Sequence, residues 1–307
     1  MKIVRMFFPL IILTALIGCS QNMSDFEGIK KINDTNLYIK TLGSGEPLII
    51  IHGGPGLSHD YFLPHLGKLS KEYRLIFYDQ RGAGKSSKNQ SPETINLKTF
   101  AEDIEAIRNE FSLGRIHLFS HSWGAKIASE YAIRYPQNVS SLIYCSPVHL
   151  ANDFENEVNN MQMSAMDSSF LSKRERLMSS LEFKNGNVEA YENLFILSFS
   201  LLFKKKEKVD LLSLNLPTDF IKSQELLQGF SVDNRRNLLA ELENIPINAL
   251  ILRGKYDLSV YEADSALAEI TGANLIELES GHFPFIESYR SFEKAIMSFM
   301  EEIQTSN

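Results

Sequence analysis

The chain has 307 residues, 44% of them hydrophobic and 22% charged, with a formal net charge of −7. That is enough apolar material for one large core with an insertion, and too much for a disordered chain. The acidic balance argues against nucleic acid as a partner, and two cysteines cannot build a disulfide scaffold.

Residues 1–5 are basic and 6–17 form an apolar run, too short to cross a bilayer but suited to a secretory leader. The run ends in Leu16-Ile17-Gly18-Cys19, which has the form of a bacterial lipoprotein signal. It predicts a leader over 1–18, cleavage before Cys19, and acyl chains on Cys19 that hold the protein to a membrane of the cell envelope. Ser20 beside the cysteine is compatible with the outer membrane, and 19–32 reads as a polar tether.

Strands are predicted near 37–41, 47–51, 73–78, 115–119 and 140–145, with helices near 60–70, 97–111 and 124–135. This alternation implies an α/β fold with a mainly parallel sheet covered on both faces. From 147 to 237 the strand pattern stops and the segment, rich in Met, Leu, Phe and charge, predicts a helical cap. Its stripe Met161, Met163, Met166 and the run Phe195-Ile196-Leu197-Ser198-Phe199 could line a substrate slot, although packing inside the cap is the commoner use of such residues. Strands at 247–253 and 273–278 and a helix over 289–303 return to the sheet, so the core is expected over 33–146 and 238–307.

The chemistry begins where the second of these strands breaks. His52-Gly53-Gly54-Pro55-Gly56 follows the apolar run Leu48-Ile49-Ile50-Ile51. Glycines and a proline cannot continue a ladder, so backbone N–H groups are left at the strand end. Further on, the strand Arg115-Ile116-His117-Leu118-Phe119 leads into Ser120-His121-Ser122-Trp123-Gly124 and then a helix. Strand, sharp turn and helix are the setting of a nucleophile elbow, with Ser122 at its apex and Ser120 where the motif usually has glycine.

A serine needs a histidine to take its proton and a carboxylate to orient that histidine. His52, His59, His65, His117 and His121 precede or adjoin the serine and fail the chain order Ser, acid, His. His149 has no acid ahead of it, which leaves His282 in Ser280-Gly281-His282-Phe283 as the base. Asp257, in the turn Gly254-Lys255-Tyr256-Asp257, precedes it by one helix and one strand and is the expected acid. The expected oxyanion donors are the backbone N–H groups of Trp123 and of Gly54, with Gly53 as the alternative to Gly54.

Other readings are weaker. Gly82-Ala83-Gly84-Lys85-Ser86 looks like part of a phosphate loop, but Asp79 stands where that loop needs glycine and would repel phosphate. Asp79 is expected instead to organise its own turn. No His and Cys residues stand at metal-ligand spacing, no cofactor is required, and Cys145 on an apolar strand is expected to be a buried thiol. The basic run Lys204-Lys205-Lys206-Glu207-Lys208 is expected to be a solvated surface.

Together the motifs at His52–Gly56, Asp79-Gln80-Arg81-Gly82, Ser122, Asp257 and His282 resemble the proline iminopeptidase family of α/β-hydrolases, over a span from about Asn33 to the C-terminal helix. The resemblance implies an α/β-hydrolase fold with an inserted cap, and a serine hydrolase that removes an N-terminal residue from short peptides. It also implies acidic residues that bind the substrate amino group, for which Glu175, Glu182, Glu189, Glu192 and Glu225 are the cap candidates. Leu258 stands after Asp257, where some members have an acid, and that departure favours an esterase, lactonase or amidase as the alternative. A lipid-anchored binding module on the same scaffold is the non-enzyme alternative.

Overall fold

The computed structural model describes residues 24–63, 65–228 and 236–306. The expected leader over 1–18 and Cys19 lie outside the described residues. Eight strands form one sheet: β1 (Glu27–Ile32), β2 (Thr35–Leu42), β3 (Glu46–Ile51), β4 (Tyr73–Tyr78), β5 (Ile116–His121), β6 (Val139–Cys145), β7 (Asn248–Gly254) and β8 (Asn274–Leu278). Their order is β1-β2-β4-β3-β5-β6-β7-β8. The pairs β1–β2 and β2–β4 are antiparallel and all the others parallel.

The strands form because their apolar residues serve both faces. On β3, Ile49 and Ile51 enter one core and Leu48 and Ile50 the other, as the two-residue period of a strand requires. The first face is covered by α1 (Leu97–Glu110) and α2 (Gly124–Arg134), which bury Phe100, Ile104, Ile127 and Tyr131. Between β6 and β7 the chain leaves the sheet through α3 (Glu155–Ser164), α4 (Ser168–Ser179), α5 (Leu181–Lys184), α6 (Val188–Ser200) and α7 (Phe220–Gln228). It returns by α8 (Leu238–Leu242), and α9 (Tyr261–Thr271) links β7 to β8. The second face is covered by α10 (Pro284–Glu287) and α11 (Tyr289–Ser306). On α11, Phe292, Ile296, Phe299, Met300 and Ile303 follow helical spacing into that core.

Two expectations are corrected. The stretch 19–32 is not all tether, because Glu27–Ile32 is edge strand β1. Its Glu27, Ile29 and Lys31 face outward, so the alternation that marks a strand is masked by charge on the solvent side. The helix expected near 60–70 is two short 3-10 turns, His59–Phe62 and Leu66–Lys71, with Pro64 between them unable to donate a backbone hydrogen bond.

Strand β3 has β4 on one side and β5 on the other, so chain order reverses there. At such a switch point the loops after the two strands diverge and leave a crevice at their C-terminal ends. The loops beginning at His52 and at Ser122 open into that crevice, and Ile51 and Ser120 are directly paired below them.

Candidate active site

Ser122 sits between β5 and α2 with φ 53°, a left-handed conformation that a serine resists. Neighbouring backbone holds it there. Its N–H donates to the Cys145 carbonyl at 3.1 Å, and its carbonyl accepts from Ala125 N at 3.0 Å and Val148 N at 3.2 Å. Ser120 is tolerated where glycine is usual because it is buried with Oγ 3.4 Å from the Ile143 carbonyl. Gly124 cannot be replaced so easily: a Cβ there would stand 2.8 Å from the Ile51 carbonyl oxygen and 2.9 Å from that of His52.

His282 and Asp257 meet at the ends of β8 and β7, with His282 Nδ1 2.8 Å from Asp257 Oδ2. That contact leaves Nε2 of the ring for the cavity side. Ser122, Asp257 and His282 line one cavity of about 580 Å3. Among the described residues the Ser122 hydroxyl has no hydrogen-bond partner. Catalytic contacts of this kind commonly tighten only when substrate is bound.

The glycine loop is held by side chains whose roles the sequence does not announce. His52 is buried, and its Nε2 accepts the Gln80 N–H at 3.0 Å, so Nδ1 carries the proton and donates to the Gly53 carbonyl at 2.8 Å. Gln80 Nε2 in turn donates to the His52 carbonyl at 2.7 Å. Burial pushes the His52 pKa down to about 4, which keeps the ring neutral, as both hydrogen bonds require. Asp79 organises the following turn: it accepts from His59 N at 2.9 Å, His59 Nδ1 at 2.7 Å and Lys85 N at 2.7 Å.

One of the expected oxyanion donors is withdrawn by this geometry. The Gly53 N–H donates to Tyr61 Oη at 2.6 Å and is already engaged. Among the described residues the Gly54 N–H has no such partner. Gly54 and Ser122 both line the cavity, and Trp123 follows Ser122 at the start of α2.

The helices between β6 and β7 supply much of the cavity wall. Val158, Phe195, Phe199, Leu202 and Leu227 face it, together with Leu57 from the glycine loop. Of the slot candidates, Phe195 and Phe199 line the cavity and also pack against the core, whereas Met161 and Met163 are exposed and Met166 does not line it. None of Glu175, Glu182, Glu189, Glu192 or Glu225 lines it, and Leu258 does. Among the described residues the acids that do are Asp257 and Asp264. Asp264 is buried with Oδ2 3.0 Å from Arg253 Nε, and Arg253 also pairs with Glu277. Burial pushes the Asp264 carboxyl up to about 7, against the pull of Arg253, and the charge of nearby Asp257 adds to the rise.

Glu287 is a site residue that sequence reasoning missed. Its carboxylate accepts from Gly281 N at 2.7 Å, Lys204 N at 3.0 Å and Lys205 N at 3.1 Å. Beside it the His282 N–H donates to the Leu202 carbonyl at 2.7 Å. The histidine loop is thus strapped to the segment after α6, and a Cβ on Gly281 would stand only 2.1 Å from the Leu202 oxygen. Cys145 is buried and its thiol is pushed well up by burial, which leaves it unreactive. No group of His, Cys, Asp and Glu among the described residues is arranged to hold a metal ion.

The fold and this site define a hydrolase of the serine type. A family model described as the alpha/beta hydrolase fold matches residues 46–289, and the chain belongs to that family. It is 26% identical over 275 residues to a protein named proline iminopeptidase from Heyndrickxia coagulans, covering 85% of this chain and 92% of that one. Among solved structures it resembles the proline iminopeptidase of Mycobacterium smegmatis, with TM-score 0.66, 16% identity, and coverage of 92% of this chain and 99% of that one. It also resembles an esterase from Exiguobacterium antarcticum, with TM-score 0.65, 22% identity, and coverage of 90% and 100%. Likeness at these identities speaks for the shared fold.

Proposed function

We propose that Ser122 is the nucleophile of an acyl-enzyme mechanism, with His282 as general base and acid and Asp257 as its orienting carboxylate. The observation that carries this reading is the His282–Asp257 contact at 2.8 Å in the same cavity as the left-handed Ser122. Ser122 Oγ attacks the substrate carbonyl carbon while its proton passes to His282 Nε2. Collapse of the tetrahedral intermediate breaks the bond to the leaving group, which takes that proton, and water then releases the acyl group by the same steps. The Gly54 and Trp123 N–H groups stabilise the oxyanion, each worth about 3 kcal/mol in the transition state.

The substrate class proposed first is a short peptide with a free N-terminus, as the similarity to proteins named proline iminopeptidase suggests. One observation favours a second reading, an ester, lactone or amide without a free amino group. Among the described residues, the cavity's two acids already face partners, Asp257 Oδ2 the His282 ring and Asp264 the Arg253 guanidinium as an ion pair, although Asp257 Oδ1 and Asp264 Oδ2 make no hydrogen bond. Parallel assays of proline and alanine arylamides, their N-acetylated forms, short esters and lactones decide between them. The peptidase reading expects the arylamides to be cleaved and N-acetylation to abolish cleavage. Turnover of esters or lactones with no response to an amino group would replace it with the second.

We further propose that residues 1–18 are a leader and that lipid on Cys19 anchors the exported enzyme to the cell envelope, with 33–146 and 238–307, joined by the edge strand Glu27–Ile32, as the catalytic core and 147–237 as its cap. The basic start, the apolar run and the placing of Cys19 support it. Cys19→Ser should block processing and move the protein out of the detergent phase; unchanged partitioning would reject it.

A further inference from the structure

Gly53, Tyr61, His121 and His282 form a continuous hydrogen-bonded chain beneath the cavity. Gly53 N lies 2.6 Å from Tyr61 Oη, Tyr61 Oη lies 2.9 Å from His121 Nδ1, and His121 Nε2 lies 2.8 Å from the His282 carbonyl oxygen. The two ends fix the direction of every proton. A backbone N–H can only donate and a carbonyl can only accept. Tyr61 therefore accepts from Gly53 and gives its own proton to His121 Nδ1, and His121 is the neutral tautomer with its proton on Nε2.

The surroundings keep it so. His121 and Tyr61 are both buried. Burial drives the His121 pKa well below its ordinary value, with the neighbouring His282 adding to the shift, and drives the Tyr61 hydroxyl well above its own. Phe62, Phe283 and Phe285 enclose the imidazole, with ring centroids 6.0, 5.3 and 5.2 Å away.

We propose that Tyr61 and His121 act as one positioning relay that sets the glycine loop and the histidine loop at a fixed separation across the reacting carbon. The proposal rests on the serine-hydrolase reading, in which Gly54 supplies an oxyanion donor and His282 the base. Gly54 follows the residue that the relay grips at one end, and His282 is the residue it grips at the other. His121 lies next to Ser122, so the same side chain registers both loops against the nucleophile. The relay also explains why Gly53 leaves oxyanion stabilisation to its neighbour: its N–H is the first link.

The test uses the purified full chain with p-nitrophenyl butyrate as reporter, with rates referred to folded protein measured by circular dichroism. Tyr61→Phe and His121→Leu should each lower kcat by about 10- to 100-fold while KM stays within about threefold. The double variant should be no slower than the slower single one, because the two residues act as one unit. His121→Gln keeps one acceptor and one donor and should restore kcat to within about threefold of the parent. A parental kcat in Tyr61→Phe, additive losses in the double variant, or no rescue by glutamine would overturn the relay. Ser122→Ala run in parallel separates the failures. Turnover surviving in that variant overturns the serine-hydrolase reading and the relay with it, whereas a dead Ser122→Ala beside an unimpaired Tyr61→Phe overturns the relay alone.

Discussion

Gly124→Ala sets two physical effects of opposite sign against each other. Gly124 is the first residue of α2, and alanine is ordinarily the better helix former by about 1 kcal/mol. Here the added methyl would stand 2.8 Å from the Ile51 carbonyl oxygen, 2.9 Å from that of His52 and 3.2 Å from Ile51 Cγ2. Ordinary contact begins at 3.4 Å, so something must move by about half an ångström. The carbonyls cannot retreat. Ile51 lies in the β3–β5 ladder, and the His52 carbonyl is held by Gln80 Nε2 at 2.7 Å. The start of α2 must lift instead, carrying Trp123 and Ser122 away from the glycine loop. Overpacking of this kind costs about 1–3 kcal/mol, and a shift of this size at the reacting groups lowers kcat by about 10- to 100-fold. Urea unfolding and ester turnover measured on the same preparation test both. A variant as stable and as fast as the parent would refute the argument that the elbow is wedged against β3.

Other outcomes follow from the same contacts. His52 is held neutral by burial, with its pKa lowered from 6.5 to about 4. Between those values the unfolded chain binds a proton that the folded one does not, so stability falls as pH falls, by about 3 kcal/mol in all. Urea unfolding of the parent and of His52→Asn at pH 7 and pH 5 checks this: the gap between the two proteins should narrow at pH 5, and a constant gap would reject it. Glu287→Ala removes the acceptor shared by Gly281, Lys204 and Lys205 and should cost about 1–3 kcal/mol. It should also speed proteolysis near residue 204 and lower kcat through the His282 loop, and limited digestion with parallel rate measurements would show neither if the strap is incidental. Asp257→Asn should lower kcat by about four orders of magnitude with little change in fold, measured by turnover and circular dichroism, and near-parental kcat would exclude Asp257 as the orienting acid.

The parallel strands were legible because a strand buried on both faces is written as an unbroken apolar run, as in Leu48-Ile49-Ile50-Ile51. Strand β1 was not, because an edge strand exposed to solvent looks like a polar linker. The residues of the candidate site could be read from turn chemistry and chain order. Their supports could not. Chain order excluded His121 and His52 as bases, yet both are buried scaffolding for the loops that matter. Nothing local to Gly53 shows that its N–H meets a tyrosine eight residues on; that depends on the 3-10 turn His59–Phe62 folding back over the loop. The cap glutamates were legible as charges, but which side of a helix meets a cavity is a tertiary fact, and none of the five lines it.

The central claim is that Ser122 becomes acylated, and covalent trapping tests it most directly. The full chain treated with a fluorophosphonate and examined by intact mass and peptide mapping should carry one adduct, on the peptide containing Ser122, and Ser122→Ala should carry none. An unmodified parent protein, or an adduct on another residue that persists in Ser122→Ala, would contradict the account.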